Sequence, residues 1–224
     1  MPPSPRDASL LLVGPERDFP QERARRTYES LVDAGAALFA ERGFDATQTP
    51  DIAGEAGVSV GTFYRYFDDK LEIFLEVERR YLARAYHEVM ARLTPDRFVS
   101  KVRRAVIDDA LGVLLDHVNR SPALQRVFLE MALRDEKVAA LKRAFDDASR
   151  KALAALIASI CSREQVADPE ATATIVHAAV IECAIAISGA RGPLPVSRER
   201  AMAALSTMVY RAVFGHEEPE SSDP

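Results

Sequence analysis

The stretch Thr49–Lys70, TPDIAGEAGVSVGTFYRYFDDK, decides the reading of this chain. It spells a short helix, a tight turn and a second short helix. Thr49 is a predicted N-cap, since its hydroxyl can accept from an otherwise unpaired backbone N–H. Pro50 then falls at the first helical position, where a missing N–H costs nothing. Gly57 stops this first helix near Ala56, because glycine enters the left-handed region without a Cβ penalty. Ser59 caps the second helix, predicted from about Val60 to Phe67. A helix-turn-helix is the pattern, and its second helix is the one that enters a DNA major groove.

That second helix has two faces. Phe63 and Phe67, four apart, share one and are expected to bury. Val60, Gly61, Thr62, Tyr64, Arg65 and Tyr66 are left for reading. Glycine inside a helix is unfavourable by about 1 kcal/mol against alanine, and close approach to a sugar-phosphate backbone is a reason to keep Gly61. Tyr64 and Tyr66 supply hydroxyls for phosphates and ring faces for thymine methyls. Arg65 can take guanine O6 and N7 together. Lys70 follows as a phosphate contact. Upstream, Thr47 and Thr49 place hydroxyls at a helix start, where phosphates are attracted. With Ser59 these complete the candidate DNA-binding set. The competing reading is a plain helical hairpin with every aromatic in its core.

The run GEAGVSVGTFYRYFDDKLEIF, residues 54–74, resembles the DNA-binding signature of the tetracycline-repressor (TetR) family of bacterial regulators. The upstream AGAALFAERGFDATQTPDIA, residues 34–53, resembles that family's first helix and the entry to its second. The likeness covers roughly Arg23 to Phe74, and its one mild departure is Pro50. The remainder matches in length and helical layout only. The resemblance implies an all-α protein of about nine helices. It would have a three-helix helix-turn-helix domain followed by a helical effector-binding and dimerisation domain. It also implies a homodimer, a palindromic double-stranded operator, repression, and release by a small hydrophobic effector. A regulator without an effector, or an activator, stays open beside it.

The 224 residues are 48 % hydrophobic, enough for a small domain and a larger one with real cores. No apolar run of the roughly 18 residues that span a membrane is evident, and no signal peptide is read. A cytoplasmic protein with no membrane partner is the expectation. Cys161 and Cys183 lack metal-ligand spacing and are expected as reduced, buried thiols. No metal and no cofactor is expected. The net charge is −5, and acidic residues outnumber Arg17, Arg23, Arg25, Arg26, Arg42, Arg65 and Lys70 even around the DNA reader. Binding must then depend on where a few cations sit. An enzyme is the reading from another class. His87, His117, His177 and His216 are scattered, and no nucleophile set or phosphate loop accompanies them.

Four segments follow. Residues 1–20, rich in proline, are expected as a disordered arm, with Arg17, Arg23, Arg25 and Arg26 near DNA. Residues 21–68 are the DNA-binding domain, opening with a helix from Gln21 to Arg42 that Gly43 closes. Residues 69–215 are the effector and dimerisation domain, and 216–224 an acidic tail. A long helix from Asp69 to about Leu93 leads out of the reader. Helices are then expected at Arg97–Asn119, up to Arg134, Glu136–Cys161, Glu170–Ser188 and up to Phe214. Ser121, Asp135, Asp168 and Ser197 are caps. The alanines of the ninth-decade helix and the apolar face around Met202, Leu205 and Met208 suit close helix approach, which the resemblance makes a dimer interface.

The candidate effector wall is Phe98, Val102, Phe128, Met131 and Ile181, with Leu115, Val127 and Phe145 beside them; each is also a plausible core residue. Glu130, His177 and Glu182 are polar groups within apolar runs, costly to bury unless paired. If Glu130 and Glu182 face a cavity, a lipophilic cation fits; if arginines take them, an apolar acyl ligand fits better. His117 is expected at a helix end, on the dipole.

Overall fold

The computed structural model describes Phe19 and residues 21–215. The arm before Phe19, with Arg17, and the tail from His216 onward lie outside the described residues. All described elements are helical: α1 Glu22–Ala46, α2 Thr49–Glu55, α3 Val60–Phe63, α4 Lys70–Met90, α5 Pro95–Ser100, α6 Arg103–Arg120, α7 Pro122–Arg134, α8 Glu136–Ile160, α9 Pro169–Ile187 and α10 Arg198–Phe214. The chain divides into two compact units. One holds the described residues up to Arg84 together with Ser121–Phe145; the other holds Ala85–Arg120 and Asp146 to residue 215.

The first unit is built on an aromatic core. Phe39, Phe63, Phe67, Phe74 and Phe128 are all fully buried. Phe39 meets Phe74 edge-on with centroids 5.1 Å apart, and Tyr28 stacks on Phe67 at 5.1 Å. At Gly35 α1 comes close to α4: a Cβ there would stand 3.3 Å from Ile73 Cδ1. Arg80 on α4 makes a two-armed pair with Glu29 on α1. The most extensive helix pairing here is α1 with α7, so a segment from the second half of the sequence belongs to this unit.

The second unit packs α6, α9 and α10 on one another. Ile107 and Leu111 meet Val176, Leu205, Val209 and Tyr210, and Leu114, Leu115 and Val118 meet Ala184. Ile157, Val166, Ala173 and Val213 close a third cluster. The predicted caps form. Ser121, Asp168 and Ser197 accept from the backbone N–H groups of Leu124, Ala171 and Arg200, and Asp135 accepts from those of Lys137 and Val138.

Three expectations need correcting. The helix expected over Arg97–Asn119 is divided, because Lys101 is extended at φ −134°, ψ 162°; its first piece is the six-residue α5. His117 does stand in the last turn of α6, where it is 1 % exposed with its Nδ1 3.6 Å from Glu88 Oε2. Both free cysteines are half-buried rather than buried. Pro169–Ile187 does reach the length and apolarity of a membrane span. Its packing accounts for that: Ala173, Val176, Ala184 and Ile185 serve the core, while Ala171, Ile175 and Ala178 are exposed on other faces.

Candidate nucleic-acid interface

The reader begins at a joint, Gly43–Thr47. Gly43 takes φ +80°, ψ 175° and breaks the α1 path where the sequence places the helix end. Three side chains then hold the joint. Thr47 is 0 % exposed, and its hydroxyl lies 2.7 Å from the Gly43 carbonyl and 3.3 Å from that of Leu38. It is a lock in the core, so it leaves the phosphate-contact set. Lys70 Nζ donates to the Phe44 carbonyl at 2.8 Å and sits 4.4 Å over the Phe44 ring. Burial pulls this ammonium below the usual lysine range, with Asp45 opposing. Lys70 is therefore committed to the joint first.

The third holder comes from α7. Arg134 makes two near-parallel bonds to the Asp45 carboxylate, 2.8 and 3.1 Å, and a third to Glu130 at 3.2 Å. The fork-on-carboxylate geometry fixes direction as well as charge. The Arg134 guanidinium holds the Asp45 carboxyl below its usual range. Its stabilising share is thus present at neutral pH and is lost as pH falls through that lowered value. In Arg134→Ala we expect the Asp45 carboxyl to return toward ordinary aspartate behaviour, read by carbon NMR titration. An unchanged titration would mean that the pair does not persist in solution.

Helix α2 starts one residue earlier than expected. Gln48 is its N-cap, and the Asp51 carboxylate accepts from the Gln48 N–H at 2.9 Å. Thr49 is therefore the first helical residue and not the cap. Its hydroxyl lies 3.1 Å from the Tyr64 hydroxyl. Ala56 ends the helix, and Gly57 at φ +68° turns the chain. Ser59 caps α3, accepting from the Thr62 N–H. The α3 helix is only four residues long. It continues as a turn, with Arg65 and Tyr66 donating to the carbonyls three residues back, Thr62 and Phe63. The expected span to Phe67 is one turn too long.

Phe63 and Phe67 bury at 0 and 1 % exposure and orient the rest. Ser59, Val60, Gly61, Tyr64 and Arg65 form the exposed surface, with Val60 at 38 % and Tyr64 at 51 %. Thr62 is half-buried, its hydroxyl 2.9 Å from that of Ser59. Arg65 has no ion-pair partner among the described residues, which leaves its guanidinium available. Tyr66 is half-buried instead, its ring 6.2 Å from Tyr28 and 6.4 Å from Phe19. Arg25 and Arg26 share the Glu22 carboxylate, so that cluster is partly neutralised by its own helix.

Residues 31–77 match the family model described as "Bacterial regulatory proteins, tetR family". Those residues form a TetR-family DNA-binding region. It is similar to the "HTH-type transcriptional repressor KstR2" of Rhodococcus jostii (strain RHA1), 34 % identical over 122 residues, which is 50 % of this chain and 59 % of that repressor. It is also similar to the "HTH-type transcriptional repressor KstR" of Mycobacterium tuberculosis (strain ATCC 25618 / H37Rv), 30 % identical over 122 residues, covering 54 % of this chain and 51 % of that one. The chain thus spans about half the length of these curated relatives. In fold it resembles a crystal structure of a TetR-family regulator from Mesorhizobium loti MAFF303099, with TM-score 0.65 and 22 % identity over 88 % of this chain and 100 % of that one.

The candidate effector residues are not one cluster. Phe128 and Met131 are buried in the first unit. Phe98, His177 and Ile181 lie in the second. Phe98 packs against the Ile107–Tyr210 cluster and Ile181 against the Leu114–Ala184 cluster. His177 is 7 % exposed, its Nε2 4.0 Å from Asp146 Oδ1. Val102 is 74 % exposed and leaves the set. Glu130 leaves it too, exposed and paired with Arg134, and Glu182 is likewise exposed and paired with Arg191. The sequence reading missed Asp45 and Arg134. They are 89 residues apart, and no local pattern marks an ion pair at that distance.

Proposed function

We propose that this chain is a cytoplasmic, dimeric, sequence-specific DNA-binding repressor that reads a palindromic operator through Ser59–Arg65. One observation carries the reading: Val60, Gly61, Tyr64 and Arg65 are exposed side by side over a buried Phe63–Phe67 floor. An isolated helical hairpin with its aromatics in a core has no reason to present them. The surface is short, Ser59, Val60, Gly61, Tyr64 and Arg65, so phosphate contacts position it and Arg65 discriminates. With few cations available, the salt slope is modest, about 0.9 log units per phosphate neutralised.

Two copies double that small surface. The support lies in the second unit, where Ala171, Ile175 and Ala178 of α9 and Ala204 and Met208 of α10 are exposed. Ile175 is 70 % and Met208 41 % exposed. A second copy covering this strip gives a two-fold dimer with half-sites about one DNA turn, roughly 34–36 Å, or a multiple apart. For release, the pairing of Glu130 and Glu182 with arginines favours a small, apolar, acyl-like effector over a lipophilic cation. Such an effector acts only through different affinities for the DNA-bound and released conformations.

The test is selection of bound sequences from a random duplex library by the full chain at a stated salt concentration. A motif with two-fold symmetry is the expected result. Folded protein that enriches nothing, or enriches an asymmetric site, overturns the reading. On the selected operator, Arg65→Ala should flatten the preference at one position per half-site, a loss of discrimination of about 1 kcal/mol or more. A uniform weakening with unchanged preference would make Arg65 a phosphate contact instead.

A further inference from the structure

Thr49 and Tyr64 are 15 residues apart and come from different elements, yet their hydroxyl oxygens lie 3.1 Å apart. Thr49 opens α2, and Tyr64 is the residue that ends α3, with its backbone at φ −67°, ψ −7°. The α2 N-terminus is already served by Gln48 and Asp51. The Thr49 hydroxyl is therefore not needed for capping. Tyr64 follows a helix of only four residues and is half out in solvent. Nothing in so short a helix fixes a side chain beyond its end. Two contacts do: the ring stands edge-on to Phe63, 5.3 Å between centroids at 83°, and the hydroxyl meets Thr49.

We propose that Thr49 is a positioning residue for Tyr64, the side chain that presents a phenol to a DNA backbone phosphate. This rests on the DNA-binding reading above. The chemistry is directional. In a pair of hydroxyls one donates to the other, and the second hydrogen points elsewhere. A phosphate oxygen in front of Tyr64 takes the phenol hydrogen, the stronger donor of the two. Thr49 then donates to the tyrosine oxygen. The chain Thr49–Tyr64–phosphate polarises each bond in turn, and a ring held at both ends loses less freedom on binding. Threonine suits the role because branching at Cβ restricts χ1. Thr49 acts on DNA through Tyr64, not by touching it.

The experiment is a double-mutant cycle on the operator selected from the library, with a non-operator duplex of equal length as reference. Thr49→Val removes the hydroxyl and keeps the shape; Tyr64→Phe removes the phenol; Thr49→Ser restores a hydroxyl. Thr49→Val is expected to weaken operator binding about two- to tenfold, the span of one hydrogen bond. In the Tyr64→Phe background it should change nothing further, and Thr49→Ser should recover most of the affinity. The thermal midpoint should stay put, and the Tyr64 hydroxyl proton of the free protein should exchange faster in Thr49→Val. Additive losses would show that Thr49 contacts DNA itself and overturn the positioning role. A lowered midpoint that tracks the lost affinity would make Thr49 merely structural. If Tyr64→Ala binds the operator normally, it is the reading of Tyr64 that fails, independently of Thr49.

Discussion

Gly61→Ala is expected to leave the protein as stable as before, or up to about 1 kcal/mol more stable, and still to lose operator affinity by about 5- to 150-fold. The two halves of that result have separate causes. A Cβ built on Gly61 meets nothing closer than the Ser59 hydroxyl oxygen at 3.9 Å, so the fold has room for it. The backbone at Gly61 is in an ordinary negative-φ conformation, unlike Gly57 at φ +68°, so no strain arises. Alanine is the better helix former by about 1 kcal/mol in an interior position, and less than that near an N-terminus. Nothing inside the molecule therefore asks for glycine. The reason lies outside, where Gly61 sits exposed between Val60 and Thr62 on the reading surface. A methyl group forced into a closely packed contact costs about 1–3 kcal/mol, which is the stated loss in affinity. Gly61→Leu should lose more, with the same thermal midpoint. Operator titration and thermal unfolding, run on the same preparations, check both halves. Unchanged affinity in Gly61→Leu would take the DNA backbone away from this face.

Legibility followed the range of the interaction. Ser59, Gly43, Gly57, Asp168-Pro169 and Ser197 each act within a few residues, and the helix boundaries that they set stand where the sequence puts them. Phe63 and Phe67 were legible as the buried pair because a four-residue spacing fixes a face. The reading failed where a distant partner decides. Thr47 looked like a surface hydroxyl but is claimed by the Leu38 and Gly43 carbonyls. Lys70 looked like a phosphate contact but is drawn first to the end of α1. Thr49 lost the cap to Gln48 because Asp51, three residues on, serves the backbone N–H of Gln48. The split at Lys101 had no breaker residue to announce it. The aromatic floor of the reader is thus written locally, while the joint that aims it is written across the chain, by Lys70 and Arg134.

The acidic balance of the reader gains an explanation from the same contacts. Glu22, Glu29 and Asp45 are engaged by Arg25 and Arg26, by Arg80, and by Arg134. Their charges are spent inside the unit, and among the described residues Arg65 is left without an ion-pair partner. What a phosphate meets at the reading surface is a local matter of hydroxyls, one arginine and a glycine gap. The net charge of −5 describes the whole chain and not that surface.

Glu78 is a carboxyl that α4 carries into the core. The buried side chains are Ile73, Phe74, Val77, Glu78, Leu82, Ala85 and Tyr86, and Glu78 is 0 % exposed. Neither of its carboxyl oxygens has a hydrogen-bond partner among the described residues. Burial pushes this carboxyl well above the usual range, so the folded state favours its protonated form. A buried polar group left unbonded costs about 1–3 kcal/mol. Glu78→Met, similar in length and wholly apolar, is expected to stabilise the protein by about that amount at pH 7. The effect depends on pH with a definite sign. The unfolded carboxyl releases its proton near the ordinary value of 4.5; the folded one holds it to higher pH. Between those points the folded state binds more protons, so the native protein loses stability as pH rises. The advantage of Glu78→Met should therefore be smallest below pH 4.5 and grow steadily above it. This is opposite in direction to the Asp45–Arg134 pair, whose contribution is lost in acid. Thermal or urea unfolding of both proteins from pH 4 to pH 9 measures the difference. A variant less stable than the native protein at pH 8 would mean that Glu78 has a stabilising partner in solution.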